Sequence, residues 1–216
     1  MAIYSRTTRH GTYYTSPLGS SDPLNMDQMK ANARYIYNYC SEMGITINAI
    51  CGMLGNFQVE STINPGRWQN DDEYNYDLGY GLAQWTPATK YLNAIHPYGN
   101  GDPFEMDNNL FYLIEYEIQK QTEYYPTSNY PETYAQFLQS SKSPTYLAKA
   151  FLYNYERAGV EVVNKRVEYA NYWYEFLTGN TPPIDPDDPT PTPRKPKKRK
   201  GFKFVLFLNS KRRIYG

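Results

Sequence analysis

The sequence predicts a mostly helical α+β domain with a small hairpin, followed by a proline-rich linker and a basic tail. Apolar residues recur at helical spacing through most of residues 24–179 of the 216-residue chain. The run Leu78 to Thr86 interrupts this pattern with two glycines two positions apart among aromatic and aliphatic residues, which favours a strand or hairpin. After Asn180 the composition changes abruptly, and almost nothing remains that a core would bury.

Changes of composition divide the chain into four parts. Residues 1–23 mix Thr, Ser, Tyr, Arg and Gly without helical periodicity, so we expect an irregular N-terminal arm. Residues 24–179 form the predicted folded domain. Residues 180–200 are proline-rich and then polybasic, which predicts an extended, semi-rigid linker. Residues 201–216 form a basic and apolar C-terminal tail.

Capping residues locate the first two helices. Asn25 followed by Gln28 is a capping-box pattern at the start of the first helix, and Gly44 ends that helix. Either Thr46 or Asn48 begins the second helix. Further helices are predicted over residues 87–95, 106–119, 133–139, 144–155 and 162–177, with Gly179 as the final stop.

Two glycines lie inside the second helix, where each destabilises a helix by about 1 kcal/mol relative to alanine. They are Gly52 and Gly55. A glycine in a helix interior usually marks the close approach of another backbone. We therefore expect this helix to be central and tightly packed.

Glu60 is the candidate general acid. It lies at the end of the apolar second helix, where the helix dipole disfavours a further negative charge. The neighbours Phe57 and Val59 add desolvation, which also favours the protonated carboxyl group. A carboxyl group that keeps its proton near neutral pH suits cleavage of a glycosidic bond. The alternative is an ordinary solvated glutamate at a helix end.

The formal net charge of zero conceals an asymmetry between the body of the chain and its tail. Residues 194–216 contain ten Lys or Arg and no acid, which leaves 12 of the 22 basic residues against all 22 acidic ones in the rest. This predicts an anionic partner for the tail, such as an anionic polymer, nucleic acid or an acidic protein. The alternative is a solvated, disordered end.

The sequence disfavours several classes of site. Cys40 and Cys51 are predicted to be small buried thiols, although a bridge between them is geometrically possible. The two cysteines and the two histidines, His10 and His96, show neither metal-ligand spacing nor a nucleophile–base setting. We therefore expect no metal and no cofactor. No signal-peptide pattern is visible, and no apolar run reaches the ~20 residues that span a bilayer.

Three runs of the sequence carry a resemblance to a known family. They are ICGMLGNFQVESTINPGRWQ (Ile50 to Gln69), LGYGLAQWTP (Leu78 to Pro87) and YERAG (Tyr155 to Gly159). Together they resemble the phage tail lysozyme domain of short-tailed phages that infect Gram-positive bacteria. With the helices around them, the resemblance covers about residues 25–178. It implies a lysozyme-like fold and cleavage of the glycan strands of peptidoglycan.

The resemblance also implies roles for individual residues. Glu60 matches the catalytic acid of the family. The predicted substrate-binding residues are Trp68, Tyr80, Gln84, Trp85 and Tyr155. A second carboxylate is left open: Asp72 and Glu73 match acidic positions of the family, and Asp71 and Asp77 compete with them.

The favoured interpretation is a muramidase at a phage tail tip, acting on the host wall during genome entry. A lytic transglycosylase would instead use Glu60 alone, as acid and then as base, and give an anhydro product. A free endolysin would act first in the host cytoplasm and then on the wall. A non-catalytic wall-binding or structural tail module is the alternative of a different class.

The expected partners are peptidoglycan glycan strands in the groove. Through the basic tail, residues 194–216, we expect contacts with other phage tail proteins or with anionic wall polymers such as teichoic acids. The proline-rich linker would hold the catalytic body away from whatever the tail binds.

Overall fold

The computed structural model describes residues 3–97, 102–158 and 162–184. Within them the chain forms a predominantly helical α+β domain with a two-stranded antiparallel sheet, and the predicted lysozyme-like α+β class is confirmed. Most of the predicted linker, the whole basic tail and Gly159 of the YERAG run lie outside the described residues.

The two-stranded sheet lies in the segment for which we expected an irregular arm. Strand β1 (Tyr4–Thr8) pairs with β2 (Gly11–Thr15), so the expectation is wrong for these residues. Asn32 of the first helix holds β2 in place, because its side chain accepts from the Tyr14 nitrogen at 2.6 Å and donates to the Tyr14 oxygen at 2.8 Å. The exposed β1 carries no hydrophobic alternation that would have indicated a strand.

The helices lie close to their predicted positions. They are α1 (Met26–Glu42), α2 (Ile47–Ser61), α3 (Thr89–Ile95), α4 (Met106–Phe111), α5 (Glu117–Lys120), α6 (Tyr134–Leu138), α7 (Pro144–Phe151) and α8 (Val163–Thr178). A π-helical segment, Tyr112–Tyr116, joins α4 to α5, and a second one, Leu152–Glu156, continues α7. A short 3₁₀ turn covers Gln69–Asp71.

The predicted caps are present. The Asn25 side chain accepts from the Gln28 nitrogen, and the Gln28 side chain accepts from the Asn25 nitrogen, both at 3.0 Å. Thr46 caps α2 by accepting from the Ala49 nitrogen at 3.3 Å. The choice between Thr46 and Asn48 is thereby decided, since the Asn48 amide donates to carbonyl groups beyond α6.

Helix α2 is the centre of the domain, as its glycines predict. Every residue from Ala49 to Phe57 is buried, with α7 and α8 packed against the helix. A Cβ on Gly52 would lie 2.9 Å from the carbonyl carbon of Leu147 in α7. A Cβ on Gly55 would lie 2.8 Å from the nitrogen of Ala170 in α8. The two glycines therefore allow both neighbouring helices to approach at backbone distance.

The run Leu78 to Thr86 forms a tight turn in place of the predicted strand. Tyr80 makes single bridges to Trp68 and to Trp85, and the residues between them turn back on themselves. Positive φ angles of 85° at Gly81 and 49° at Gln84 end the pairing after one residue pair. The placement of the hairpin at Leu78 to Thr86 is thus wrong, while the small hairpin sheet predicted for the fold is present as β1 and β2.

Cys40 and Cys51 are free and buried, so the prediction of two packing thiols is confirmed. Burial raises the pKa of both thiols well above the usual range. Both sulfurs therefore remain protonated and unreactive at neutral pH.

Candidate active site

The end of α2 is held against the Leu78–Thr86 turn. The Ser61 hydroxyl donates to the Leu82 carbonyl at 2.9 Å, and Thr62 leaves the helix in the left-handed conformation with φ of 56°. Glu60 lies in this last turn with 19% of its side chain exposed. Its carboxylate is therefore at a wall between the helix end and the turn, and not in open solvent.

A cavity of about 610 Å³ opens beside Glu60, which we call the Glu60 cavity. This volume lies within the range of about 300–1,000 Å³ that is typical of ligand sites. Its walls bring together Glu60 and four of the five predicted substrate-binding residues, Trp68, Gln84, Trp85 and Tyr155. The three sequence runs that carry the family resemblance therefore meet at one place.

The aromatic wall of the cavity is rigid. The Trp85 indole nitrogen donates to the Tyr155 hydroxyl at 2.8 Å, and the Trp85 ring stacks on Tyr91 at 4.8 Å. Burial holds the pKa of the Tyr155 hydroxyl well above its usual range. The Gln84 side chain is also held in place, because its amide nitrogen donates to the Arg67 and Gly81 carbonyls at 3.0 and 2.9 Å.

The fifth predicted substrate-binding residue, Tyr80, does not line the cavity. Its side chain is fully buried, and its ring centroid lies 4.5 Å from that of Trp68. This prediction is corrected: the geometry gives Tyr80 a packing role beneath Trp68.

The two carboxylates predicted to assist Glu60 also lie outside the cavity lining. Asp72 is exposed and accepts a hydrogen bond from the Asn75 amide at 2.7 Å, and Glu73 is partly exposed nearby. Their competitors do not line the cavity either: Asp71 pairs with Arg67 at 2.8 Å, and Asp77 is exposed. In the described geometry, the acidic run after Trp68 does not bring a carboxylate to Glu60.

The sequence reasoning missed Arg166, the ion-pair partner of Glu60. Arg166 lies in α8 with 2% of its side chain exposed, and its Nη2 atom contacts Glu60 Oε1. Its Nη1 atom donates to Asn56 Oδ1 at 2.9 Å, and the Asn56 amide in turn donates to the Ala148 carbonyl of α7 at 3.0 Å. The Glu60 carboxylate therefore has a buried guanidinium as its direct partner, which the helix-end position of Glu60 does not reveal.

Glu156 is the second carboxylate in the cavity lining, and sequence reasoning missed it too. It ends the π-helical segment after α7, and its Oε1 atom is buried without a hydrogen-bond partner among the described residues. Burial raises the pKa of Glu156 well above its usual range, and the negative charge of Glu60 raises it further. The nearby Arg166 and Arg157 guanidinium groups act in the opposite direction but do not overcome these effects.

Both missed residues left a signal in the sequence. Glu156 is the second residue of the YERAG run that carries the resemblance. The buried residues of α8 are Arg166, Ala170 and Trp173, at spacings of four and three. A single arginine on that otherwise apolar face indicates a buried ion pair.

The cavity lining also carries both signs of charge. Glu123 lies 3.3 Å from Lys90 and 3.4 Å from Arg157, and all three line the cavity. Arg157 and Lys90 are 41% and 43% exposed, so solvent screens their charges. Arg166 is by contrast buried.

Within the described ranges, no group of His, Cys, Asp and Glu side chains is arranged to hold a metal ion. The helices found there are also too short or too polar to cross a bilayer.

Comparison with known families gives a match over residues 31–177 to the phage tail lysozyme model. The chain belongs to the phage tail lysozyme family. This confirms the resemblance inferred from the three runs, and the match includes Glu60, Glu156 and Arg166.

A curated relative of the chain is "Morphogenesis protein 1" of Bacillus phage B103. It is 47% identical over 156 residues, which are 72% of this chain and 42% of the relative. The chain thus spans less than half the length of that relative.

Proposed function

We propose that the chain is a peptidoglycan glycan-strand hydrolase, a muramidase, carried at a phage tail and acting on the host wall during genome entry. The observation that supports this most directly is the position of Glu60, whose carboxylate lies in the wall of a cavity lined by Trp85 and Tyr155. Family membership and the phage morphogenesis relative support the same assignment.

The chemistry follows from this placement. Sugar rings have apolar faces that pack against aromatic side chains, and polar edges that reach groups such as Gln84. A proton delivered through Glu60 to the glycosidic oxygen breaks the bond between that oxygen and the anomeric carbon. A water oxygen then bonds to the anomeric carbon and gives up a proton to a carboxylate, which completes hydrolysis.

A lytic transglycosylase is the second candidate reaction. Glu60 would first give its proton to the leaving oxygen and then accept one from a hydroxyl of the same sugar, which forms an anhydro ring. Mass spectrometry of digested peptidoglycan separates the two, because hydrolysis leaves reducing ends and transglycosylation leaves anhydro ends. The same fragments identify the bond that is cleaved.

A non-catalytic wall-binding module makes the opposite prediction for Glu60→Gln. For a binder, the amide keeps the shape of the side chain and little changes. For the proposed enzyme, Glu60→Gln should lower the rate of wall clearing by at least about 100-fold, since general acid catalysis contributes about 10²–10⁴-fold. The amide oxygen still accepts from Arg166, so the variant should fold.

The measurement is loss of turbidity of purified cell walls, with circular dichroism as the test of folding. Glu168→Gln is the matched control, because Glu168 is exposed on α8, the helix that carries Arg166. If folded Glu60→Gln clears walls like the control, Glu60 has no role in the reaction. The partners of residues 194–216, and the choice between virion enzyme and endolysin, stay predictions.

A further inference from the structure

The Glu60 cavity contains a second carboxyl group that the reaction can use. We propose that Glu60 and Glu156 act as one pair that shares a single proton, with Arg166 balancing the one negative charge that remains. This inference rests on the proposed function, to which it adds Glu156 as the residue that holds the proton.

Geometry carries the proposal. Glu60 ends α2, Glu156 ends the π-helical segment after α7, and both side chains line the same cavity. Arg166 reaches Glu60 from α8, while the buried Oε1 atom of Glu156 has no hydrogen-bond partner among the described residues. A buried carboxylate oxygen without a hydrogen-bond partner disfavours the ionised state, and a proton on the carboxyl group relieves this.

The charges around Glu156 come from four parts of the fold. Glu60 faces it from α2 and Arg166 from α8, Arg157 follows it in the chain, and Glu123 approaches from the segment after α5. Arg157 and Lys90 both contact Glu123 and are partly exposed, so solvent screens their charges. Arg67, also in the lining, pairs with Asp71.

Glu156 therefore keeps its proton to a higher pH than an ordinary glutamate. Two carboxyl groups in one cavity whose charges act on each other titrate in two steps that belong to the pair, with one proton retained between the steps. In the proposed reaction the pair gives this proton to the leaving oxygen and regains one from the attacking water. No other reactant is needed.

The pH profile of wall clearing tests the pair. Glu156→Gln removes the carboxyl group that holds the proton and leaves Glu60 beside Arg166. We expect the alkaline limb of its profile to move down by at least about one pH unit, which is a tenfold loss of activity on that limb. Glu156→Asp should retain a profile close to wild type, and Glu168→Gln should match wild type. A Glu156→Gln profile that superimposes on wild type overturns the pair.

Thermal stability provides a readout without activity. A carboxyl group whose pKa is higher in the folded than in the unfolded chain makes the folded protein less stable as pH rises from about 4.5 towards the folded pKa. The Tm of wild type should therefore fall more steeply over this range than the Tm of Glu156→Gln. Equal slopes count against the pair.

The wild-type chain itself gives a test that needs no variant. With ¹³C in the glutamate carboxyl groups, one resonance should remain in the protonated position at pH values where ordinary glutamates, with a pKa of about 4.3, are ionised. If every glutamate titrates near that value, the pair is overturned. If this resonance is present but wild type clears no wall, the proposed function fails and the pair stands.

Discussion

Gly55 is the position where one added methyl group should disturb both the fold and the site. A Cβ there would lie 2.8 Å from the Ala170 nitrogen and 2.9 Å from the Ala170 Cβ, and closer still to the Arg166 carbonyl oxygen. The crowded atoms of α8 cannot relieve these contacts by a change of side-chain rotamer, because they belong to the backbone or are fixed to it. To restore the roughly 3.5 Å that such contacts need, α8 must move away from α2 by about one ångström.

Two opposing effects set the size of the change in Gly55→Ala. Alanine gains about 1 kcal/mol of helix propensity over glycine. Overpacking a tight contact costs about 1–3 kcal/mol, and here three atoms are crowded. The net expectation is a loss of about 1 kcal/mol, which lowers the Tm of a domain of this size by about 2–4 °C.

Gly52→Ala is the matched comparison. Its Cβ would lie 2.9 Å from the Leu147 carbonyl carbon, so the crowding is similar, but the helix displaced is α7. Thermal unfolding should show comparable losses for both variants. Wall clearing, measured well below both melting temperatures, should fall more in Gly55→Ala, because α8 carries Arg166 away from Glu60. A Gly55→Ala protein as stable and active as wild type refutes the reasoning.

Two further predictions concern the periphery of the domain. Asn25→Ala removes the side-chain oxygen that accepts from the Gln28 nitrogen, while the backbone nitrogen of residue 25 can still donate to the Gln28 side chain. The unfolding free energy should fall by about 1 kcal/mol in urea titration; an unchanged midpoint contradicts it. Partial burial raises the pKa of Glu132, but hydrogen bonds with Lys142 and Tyr146 outweigh it and lower the pKa overall. A carboxyl group whose pKa is lower in the folded than in the unfolded chain stabilises the fold at pH values above its unfolded pKa. This stabilisation is lost as pH falls through the folded pKa. Lys142→Met should therefore lower the Tm at pH 7, and this loss should shrink as pH falls below the ordinary glutamate value of about 4.5; a loss independent of pH contradicts it.

The helices were predictable because their signals are local. The capping box at Asn25, the cap at Thr46 and the stop at Gly179 each depend on a few neighbouring residues, and the structure reproduces all three. The N-terminal hairpin was not predictable in this way. It depends on Asn32, a residue of α1 that reaches the backbone of β2.

The residues of the candidate site also differ in whether local sequence signals could predict them. Glu60 and Trp85 stand in runs whose residue order already indicates a site, and the structure brings those runs together. The role of Glu156 and Arg166 depends on how α7 and α8 pack against α2. Spacing along the chain cannot report such contacts, although an arginine on an apolar helix face indicates that one exists.

The ion pair of Glu60 has a consequence for the order of events during synthesis. Its two residues are 106 positions apart, and the arginine belongs to the last helix of the domain. A growing chain that has left the ribosome as far as α7 still lacks this cation, so its carboxylates cannot take up their final arrangement. Domains are completed as units while translation proceeds. The cavity thus acquires its charge balance only when the final helix docks, and a fragment released earlier would carry an unfinished site.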